Sequence, residues 1–203
     1  MAGHTARTAK PDQEPPQPPS STHDDGPHEA ASPRVLGEEW SSAADLEDVL
    51  TRYLFPCLRP DAHVAEIGVG GGRVARYVRG RCARLTCMDL SSKMLERAKP
   101  TLLEKTAEAE AGPAVAALEF VLLDPRAPAA YPARLAGALD VVYAFDVLVH
   151  VDLHIIFQVF QGTRRLLKQG GRAVFSTANL LTPAGWRRFE RQSKYTAAGF
   201  YCE

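Results

Sequence analysis

Short apolar runs alternate with amphipathic stretches along the chain from about residue 35 onward. Continuous apolar runs bounded by turn residues are typical of buried β-strands. Five such runs occur: HVAEIG (63–68), ARLTCMDL (83–90), LEFVLLD (118–124), LDVVYAFDV (139–147) and GRAVFSTAN (171–179). Strands of this kind that alternate with helices form a parallel sheet covered on both faces. The pattern therefore predicts a doubly wound α/β fold.

Four helical segments lie before and between these strands. The first is predicted to start after Ser41 or Ser42, and the second to cover 73–79. The third is predicted to cover 91–99, and the fourth to run from an Asp152 cap to Lys168. Pro100 is expected to interrupt the third segment, because proline lacks a backbone N–H. Thr101 and Glu104 then form the T-x-x-E pattern that would cap a second helical piece.

Residues 1–34 differ from the rest of the chain in composition. They are rich in Pro, Ser, Asp, Glu and His and contain almost no large apolar side chains. Such a segment cannot bury enough apolar surface to offset the entropy lost on ordering. We therefore predict a disordered tail over 1–34 and one globular domain over 35–203. The tail lacks the apolar core of a secretory signal, and no run approaches the roughly 18 apolar residues of a membrane span.

The charge balance and the cysteines exclude some classes of function. The 203 residues include 24 Lys and Arg and 24 Asp and Glu, so the formal net charge is zero. Nucleic-acid-binding domains usually carry a basic surface, so this balance argues against a nucleic-acid partner. The four cysteines form no C-x-x-C pair and no metal-ligand spacing. We therefore expect reduced thiols in a cytoplasmic protein.

The segment VAEIGVGGGRVARYV, from Val64 to Val78, places four glycines directly behind the first predicted strand. Gly68, Gly70, Gly71 and Gly72 would form the turn into the next helix. Glycine tolerates positive φ angles there and lets a ligand approach the backbone. In parallel sheets, ligands bind beyond the carboxyl ends of the strands, where the strand order reverses. By itself, the loop fits a dinucleotide, a nucleoside or a tight turn.

Two carboxylates narrow this choice. Asp89 ends the second strand, 21 residues after Gly68, where a carboxylate can accept hydrogen bonds from both ribose hydroxyls. Glu66 lies in the first strand, just before the glycines. An anion at that position would repel the pyrophosphate of a dinucleotide but attract an ammonium or sulfonium group. Together, the two residues favour a nucleoside ligand that carries a positive charge.

Five motifs follow one another along the chain: E-x-G-x-G-x-G at 66–72, DLSSKML from Asp89, LLD at 122–124, DVVYAFDVLVHV at 140–151 and RLLKQGG at 165–171. Together they resemble the class I S-adenosylmethionine-dependent methyltransferases in order and spacing, over about residues 38–190. The set is specific, although no single motif is. The resemblance implies a Rossmann-like methyltransferase fold with S-adenosylmethionine as the cofactor.

The resemblance also implies which residues bind the methionine and ribose parts of the cofactor. Gly68, Gly70 and Gly72 would pass close to both parts. Glu66 would contact the methionine end directly or through water. Asp89 would hold the ribose hydroxyls, the alternative being that it only caps the helix that follows.

The remaining cofactor contacts would come from the second, third and fourth strands. Leu90 would pack on the adenine ring. Asp124 would hydrogen-bond the adenine amino group, although it precedes a proline and also fits an Asp-Pro turn. Phe145 and Asp146, at the end of the fourth strand, would lie near the sulfonium and the methyl group.

The residues after the fourth strand include the candidates for catalysis. A sulfonium methyl group is already activated, so a general base is needed only if the acceptor arrives protonated. His150 is the best candidate because it follows the fourth strand on the ligand side, and Asp146 is the second. His154 extends an H-x-x-x-H pattern beside Asp152, but no third ligand is well placed, so no metal site is predicted.

The end of the chain departs from the family pattern. Sheets of this family usually continue after the fifth strand with a helix and an antiparallel strand pair, but here only LLTPAGWRRFERQSKYTAAGFYCE follows. We therefore expect a C-terminally incomplete sheet that lacks the usual strand pair. Such a sheet would leave the fifth strand as an exposed edge, which a second copy or a partner chain would cover.

The favoured function is methyl transfer from S-adenosylmethionine to a small-molecule acceptor that the sequence does not identify. Two alternatives stay open. A truncated, non-catalytic homologue would bind the cofactor or a partner without turnover, as the incomplete sheet suggests. An NAD-type oxidoreductase would use Gly70, Gly72 and Ala75 as G-x-G-x-x-A, but it has no use for Glu66 or for RLLKQGG.

Overall fold

The computed structural model describes residues 42–103 and 116–177, together with 179, 181–183, 185–187 and 190. The predicted tail over 1–34, the cap candidate Ser41 and Glu104 of the predicted second cap lie outside these residues. Residues 191–203 lie outside them as well, so the expected incompleteness of the sheet stays a prediction.

The described residues form one parallel sheet of five strands: β1 His63–Ile67, β2 Arg84–Asp89, β3 Ala117–Leu122, β4 Leu139–Ala144 and β5 Leu167–Phe175. Their spatial order is β3-β2-β1-β4-β5, and each neighbouring pair is parallel. The order reverses between β1 and β4, as it does in doubly wound sheets. The predicted fold class is confirmed.

Four α-helices accompany the sheet within the described ranges: α1 Ala43–Val49, α2 Ala75–Val78, α3 Ser92–Leu103 and α4 Leu153–Leu166. Shorter turns are π-helical at Leu50–Leu54 and 3₁₀ at Phe55–Cys57, Ala133–Leu135 and Leu148–His150. Ser42 Oγ accepts the N–H of Asp45, and the Asp152 carboxylate accepts the N–H of Ile155, so both caps are as predicted. None of the helices in the described part is long and apolar enough to cross a membrane.

The core lies on both faces of the sheet, because successive residues of a strand point to opposite sides. On one face, Val64 of β1 packs with buried residues of α1, α2 and α3. On the other face, Ala65 and Ile67 pack with Ile156 and Val159 of α4. These two layers leave the carboxyl edge of the sheet to the connecting loops.

Helix α3 continues through Pro100 to Leu103, so the predicted interruption at the proline is wrong. Proline removes one intrahelical hydrogen bond, to the carbonyl four residues earlier. Leu95, Ala98 and Leu102 are buried on either side of the proline. Burial of this continuous apolar face offsets the lost hydrogen bond.

Strand β5 begins at Leu167 rather than at Gly171 as predicted, and α4 ends correspondingly earlier. Leu167 pairs with Leu139 of β4, and pairing resumes between Arg172 and Val141. The residues in between form a bulge on the β5 side. The paired glycines that predicted a helix end lie in this bulge instead.

Candidate cofactor site

The candidate site lies at the carboxyl edge of the sheet, around the reversal of strand order between β1 and β4. Four loops meet at this edge: 68–74 after β1, 90–91 after β2, 123–126 after β3 and 145–151 after β4. They contain all the predicted site residues except Glu66, which lies within β1, and Asp89, which ends β2. Ligands of doubly wound sheets bind in this crevice.

Three glycines of the first loop have positive φ angles: +73° at Gly68, +54° at Gly70 and +87° at Gly72. A Cβ at Gly68 would lie 2.4 Å from Cγ2 of Val147, and one at Gly72 would lie 3.4 Å from Cγ of Leu102. A Cβ at Gly70 would meet no described atom within 4 Å. Gly70 therefore leaves its backbone open to a ligand, whereas the missing side chain at Gly68 lets the loop pack against Val147.

Asp89 ties the glycine loop to the end of β2. Its Oδ2 accepts the N–H of Gly70 and its Oδ1 accepts the N–H of Ser91, each at 2.9 Å. Ser91 in turn caps α3, since its Oγ accepts the N–H of Met94 at 3.4 Å, so Asp89 is not the helix cap. Each carboxylate oxygen can accept a second hydrogen bond, which leaves Asp89 able to hold ribose hydroxyls as well.

Apolar side chains are exposed where β2 and β3 end. Leu90 is 42% exposed, and Leu122, the cross-strand neighbour of Asp89, is 57% exposed. A flat apolar ring at this edge would remove that surface from water. Asp124 follows two residues later, and its Oδ1 accepts the N–H of Arg126 at 2.9 Å, which forms the Asp-Pro turn.

Glu66 is buried beneath the glycine loop rather than exposed in the crevice. It is 2% exposed, and its Oε2 accepts the hydroxyl hydrogen of Tyr143 at 2.8 Å. Burial raises the pKa of Glu66 to about 8; the bond from Tyr143 lowers the pKa, nearby Asp89 raises it and Arg73 lowers it. A carboxyl group with this pKa is mostly protonated at neutral pH.

Asp146 joins the loop after β4 to the glycine loop across the crevice. Its carboxylate pairs with the guanidinium of Arg73, which is itself 8% exposed. Its backbone has a φ of +56°, and its N–H donates to Oγ of Ser176 at 2.8 Å. Phe145, one residue earlier, turns back to the core, where its ring centroid lies 6.3 Å from that of Tyr143. Asp146 is therefore held on two sides at the point where β1 and β4 diverge.

His150 ends the 3₁₀ turn that follows β4, and its side chain is exposed. His154 lies four residues further on, with Nδ1 3.8 Å from Asp152. Within the described ranges, no group of three or more His, Cys, Asp or Glu side chains is arranged to hold a metal ion.

Three residues that contact the predicted site residues were not predicted: Arg73, Tyr143 and Ser176. Arg73 had a local signal, because a basic residue directly after a glycine loop is well placed to face it. No local pattern indicated the contacts of Tyr143 and Ser176. Tyr143 lies 77 residues along the chain from its hydrogen-bond partner Glu66, and Ser176 lies 30 residues from Asp146.

A family model described as a methyltransferase domain matches residues 65–175, which is more than half of the chain. The match begins just before the glycine loop and ends at the last residue of β5. It therefore contains every predicted site residue, and Ser176 follows directly after its end. No curated protein matches the sequence.

Solved structures share the fold at low sequence identity. The YcgJ protein of Bacillus subtilis has a TM-score of 0.55 at 16% identity, covering 78% of this chain and 62% of that one. Geranyl diphosphate methyltransferase in complex with S-adenosylmethionine has a TM-score of 0.53 at 17% identity, covering 79% of this chain and 61% of that one. DhpI in complex with S-adenosylhomocysteine has a TM-score of 0.50 at 18% identity, covering 71% of this chain and 64% of that one. This chain thus spans less than two thirds of each of these proteins.

Two observations, the similarity of the fold and the match to the family model, therefore agree on the family of this chain. The fold is similar to that of geranyl diphosphate methyltransferase and of other solved structures. The family match covers the glycine loop, Asp89 and the loop after β4. The chain therefore belongs to the class I S-adenosylmethionine-dependent methyltransferases, and its cofactor is S-adenosylmethionine.

Proposed function

We propose that this protein transfers a methyl group from S-adenosylmethionine to a small-molecule acceptor. The observation that carries the proposal is the open side of the Gly70 backbone next to the Asp89 carboxylate. The first lets a nucleoside approach closely, and the second accepts hydrogen bonds from its ribose hydroxyls. A cytoplasmic location, predicted from cysteine usage, is part of the same proposal.

The residues at this edge fit the cofactor part by part. Asp89 has lone pairs for the ribose, and Leu90 offers exposed apolar surface to the adenine ring. When bound, the cofactor supplies a methyl group on a sulfonium that is already activated for displacement. The proposed cofactor-binding residues are Glu66, Gly68, Gly70, Gly72, Asp89, Leu90, Asp124 and Phe145.

His150 and Asp146 are the proposed catalytic residues. His150 is exposed at the end of its turn, where its imidazole can take the proton from a protonated acceptor. Asp146 is held by Arg73 and Ser176, and a carboxylate so constrained can orient an acceptor toward the methyl group. Alignment of the acceptor with the methyl group is the main contribution of the protein in this proposal, and proton removal adds to it where the acceptor arrives protonated.

Calorimetric titration with S-adenosylhomocysteine, with NAD in parallel, tests the cofactor site. We expect micromolar binding of S-adenosylhomocysteine and none of NAD. Asp89→Ala should weaken that binding about 100-fold, since it removes charge-assisted bonds to the ribose and the anchor of the Gly70 amide. Asp61→Ala is the control, because Asp61 is an exposed carboxylate paired with Arg59, outside the loops that form the site.

The results also separate the alternative functions. A folded chain that binds neither ligand would contradict the proposal and leave the glycine loop as a turn only. Binding of NAD would favour the oxidoreductase. Binding of S-adenosylhomocysteine without methyl transfer to any acceptor in a small-molecule panel would favour the truncated, non-catalytic homologue.

We also propose that a second copy or a partner chain covers β5. In the described part of the chain, no strand pairs with the outer side of β5. Beside it on α4, the side chains of Leu153, Phe157 and Phe160 are 63%, 60% and 45% exposed, although Phe160 stacks on Phe175 with ring centroids 5.2 Å apart. Unpaired strand edges next to apolar surface are usually covered in native proteins.

Phe157→Glu tests the second-copy form of this proposal. Light scattering after gel filtration should give a dimer for the wild-type chain and a monomer for the variant, because an unpaired charge in an apolar interface costs several kcal/mol. Gln158→Glu, one residue away on the exposed side of α4, should stay dimeric. A monomeric wild-type chain would contradict the second copy and leave the partner chain as the covering polypeptide.

A further inference from the structure

Glu66 and Tyr143 form a buried polar pair in the middle of the sheet. They are direct cross-strand neighbours on β1 and β4, and the two oxygens lie 2.8 Å apart. Their exposed fractions are 2% and 0%. The hydroxyl of Tyr143 is otherwise unnecessary at this position, since a phenylalanine would fill the same apolar space. Buried hydrogen-bonded pairs fix side-chain positions more strictly than apolar contacts do.

Charged and titratable groups face this pair from β2 and from the glycine loop. Asp89 on β2 raises the pKa of Glu66, and Arg73 in the loop lowers it. Cys87 on β2 has a pKa raised by burial, so its thiol stays neutral. Arg73 is already paired with Asp146. The pair therefore lies close to the site, and the guanidinium that lowers the pKa of Glu66 is shared with the Asp146 carboxylate.

We infer that Tyr143 is a positioning residue that acts through Glu66, holding its carboxyl group beneath the glycine loop so that cofactor binding ionises it. The inference rests on the proposed contact between Glu66 and the methionine end of the cofactor. A positive charge brought to that carboxyl group favours its ionised form. The released proton passes to solvent, and the Tyr143 hydroxyl keeps donating to the carboxylate.

Two measurable consequences follow from this coupling. Binding of S-adenosylmethionine near neutral pH releases a fraction of a proton. Affinity also rises with pH, by up to about tenfold per unit, until the free protein has itself lost the proton at about pH 8. Without the Tyr143 hydroxyl the ionised carboxylate is harder to form, so affinity falls and its pH dependence moves to higher pH.

Calorimetry in two buffers of different ionisation enthalpy, repeated from about pH 6 to pH 9, tests the inference. Below about pH 7, where the ligand's own amino group stays protonated, wild type should release a large fraction of a proton on binding and Glu66→Gln should release none. Tyr143→Phe should weaken binding roughly tenfold at neutral pH and less at high pH. Tyr143→Phe added to Glu66→Gln should have no further effect. Tyr77→Phe is the matched control, since its hydroxyl accepts a hydrogen bond from Arg76 on α2.

A parallel titration with S-adenosylhomocysteine identifies the positive charge that Glu66 meets. Equal proton release with both ligands would identify the ammonium group, which both carry, as the charge that ionises Glu66. Smaller release with S-adenosylhomocysteine would identify the sulfonium, which only S-adenosylmethionine carries. Either result supports the coupling.

The inference is overturned if binding releases no proton, or if Tyr143→Phe weakens binding equally at every pH and in the Glu66→Gln background. If Tyr143→Phe does not fold, the comparison of wild type with Glu66→Gln still decides the coupling. Failure of the proposed function would differ from either result, because the wild-type chain would then bind no cofactor at all.

Discussion

Replacing Gly68 with alanine should destabilise the domain by about 3 kcal/mol, the sum of a left-handed backbone cost and an overpacking cost. The new Cβ would lie 2.4 Å from Cγ2 of Val147 at a φ of +73°. Gly70→Ala shares the positive φ, but its Cβ would meet no atom of the described residues within 4 Å, so it should lose only about 1–2 kcal/mol. Thermal unfolding followed by circular dichroism measures both, with a drop of roughly 10 °C expected for Gly68→Ala.

Each glycine variant has its own check. Adding Val147→Ala should recover part of the stability lost in Gly68→Ala, because it removes both methyl groups that the new Cβ meets. Gly70→Ala should stay folded but bind S-adenosylhomocysteine at least tenfold more weakly, since the methyl group occupies the ligand's approach. Equal loss of stability in the two variants, or unchanged binding in Gly70→Ala, would contradict the separate roles assigned to these positions.

Glu66→Gln should make the ligand-free protein more stable than wild type, and increasingly so as pH rises. Burial raises the pKa of Glu66 from 4.5 to about 8. Between these values the folded state binds more protons than the unfolded state, so wild-type stability falls by up to about 1.4 kcal/mol per pH unit. The stabilising contribution of the neutral carboxyl group is complete below pH 4.5 and lost above about pH 8. Glutamine removes this dependence.

Urea unfolding at about pH 5.5 and pH 8 measures the effect. The stability difference between Glu66→Gln and wild type should grow by about 3 kcal/mol between the two conditions. Glu96→Gln, an exposed change on α3, should show no such growth. A difference that is constant with pH would mean that Glu66 is ionised throughout this range.

Much of this fold follows from local patterns. HVAEIG predicts β1 because a strand buried on both faces is continuously apolar over five or six residues. Ser42 and Asp152 predict helix starts because a cap bonds an amide only three residues away. Asp89 is predicted at the ligand edge because the carboxyl ends of parallel strands lie on the same side of the sheet. Each of these inferences needs only a few neighbouring residues.

The contacts that define the site needed the tertiary structure. Glu66 meets Tyr143 across 77 residues and Arg73 meets Asp146 across 73, because β1 lies beside β4 in the folded sheet. Helix α3 likewise passes through Pro100, since burial against the sheet outweighs one lost hydrogen bond. By itself, the sequence determined the strands, the glycine loop and the edge where a cofactor binds. Only the tertiary structure decided which side chains share that edge and which of their charges are buried, because strand order depends on burying the whole chain at once.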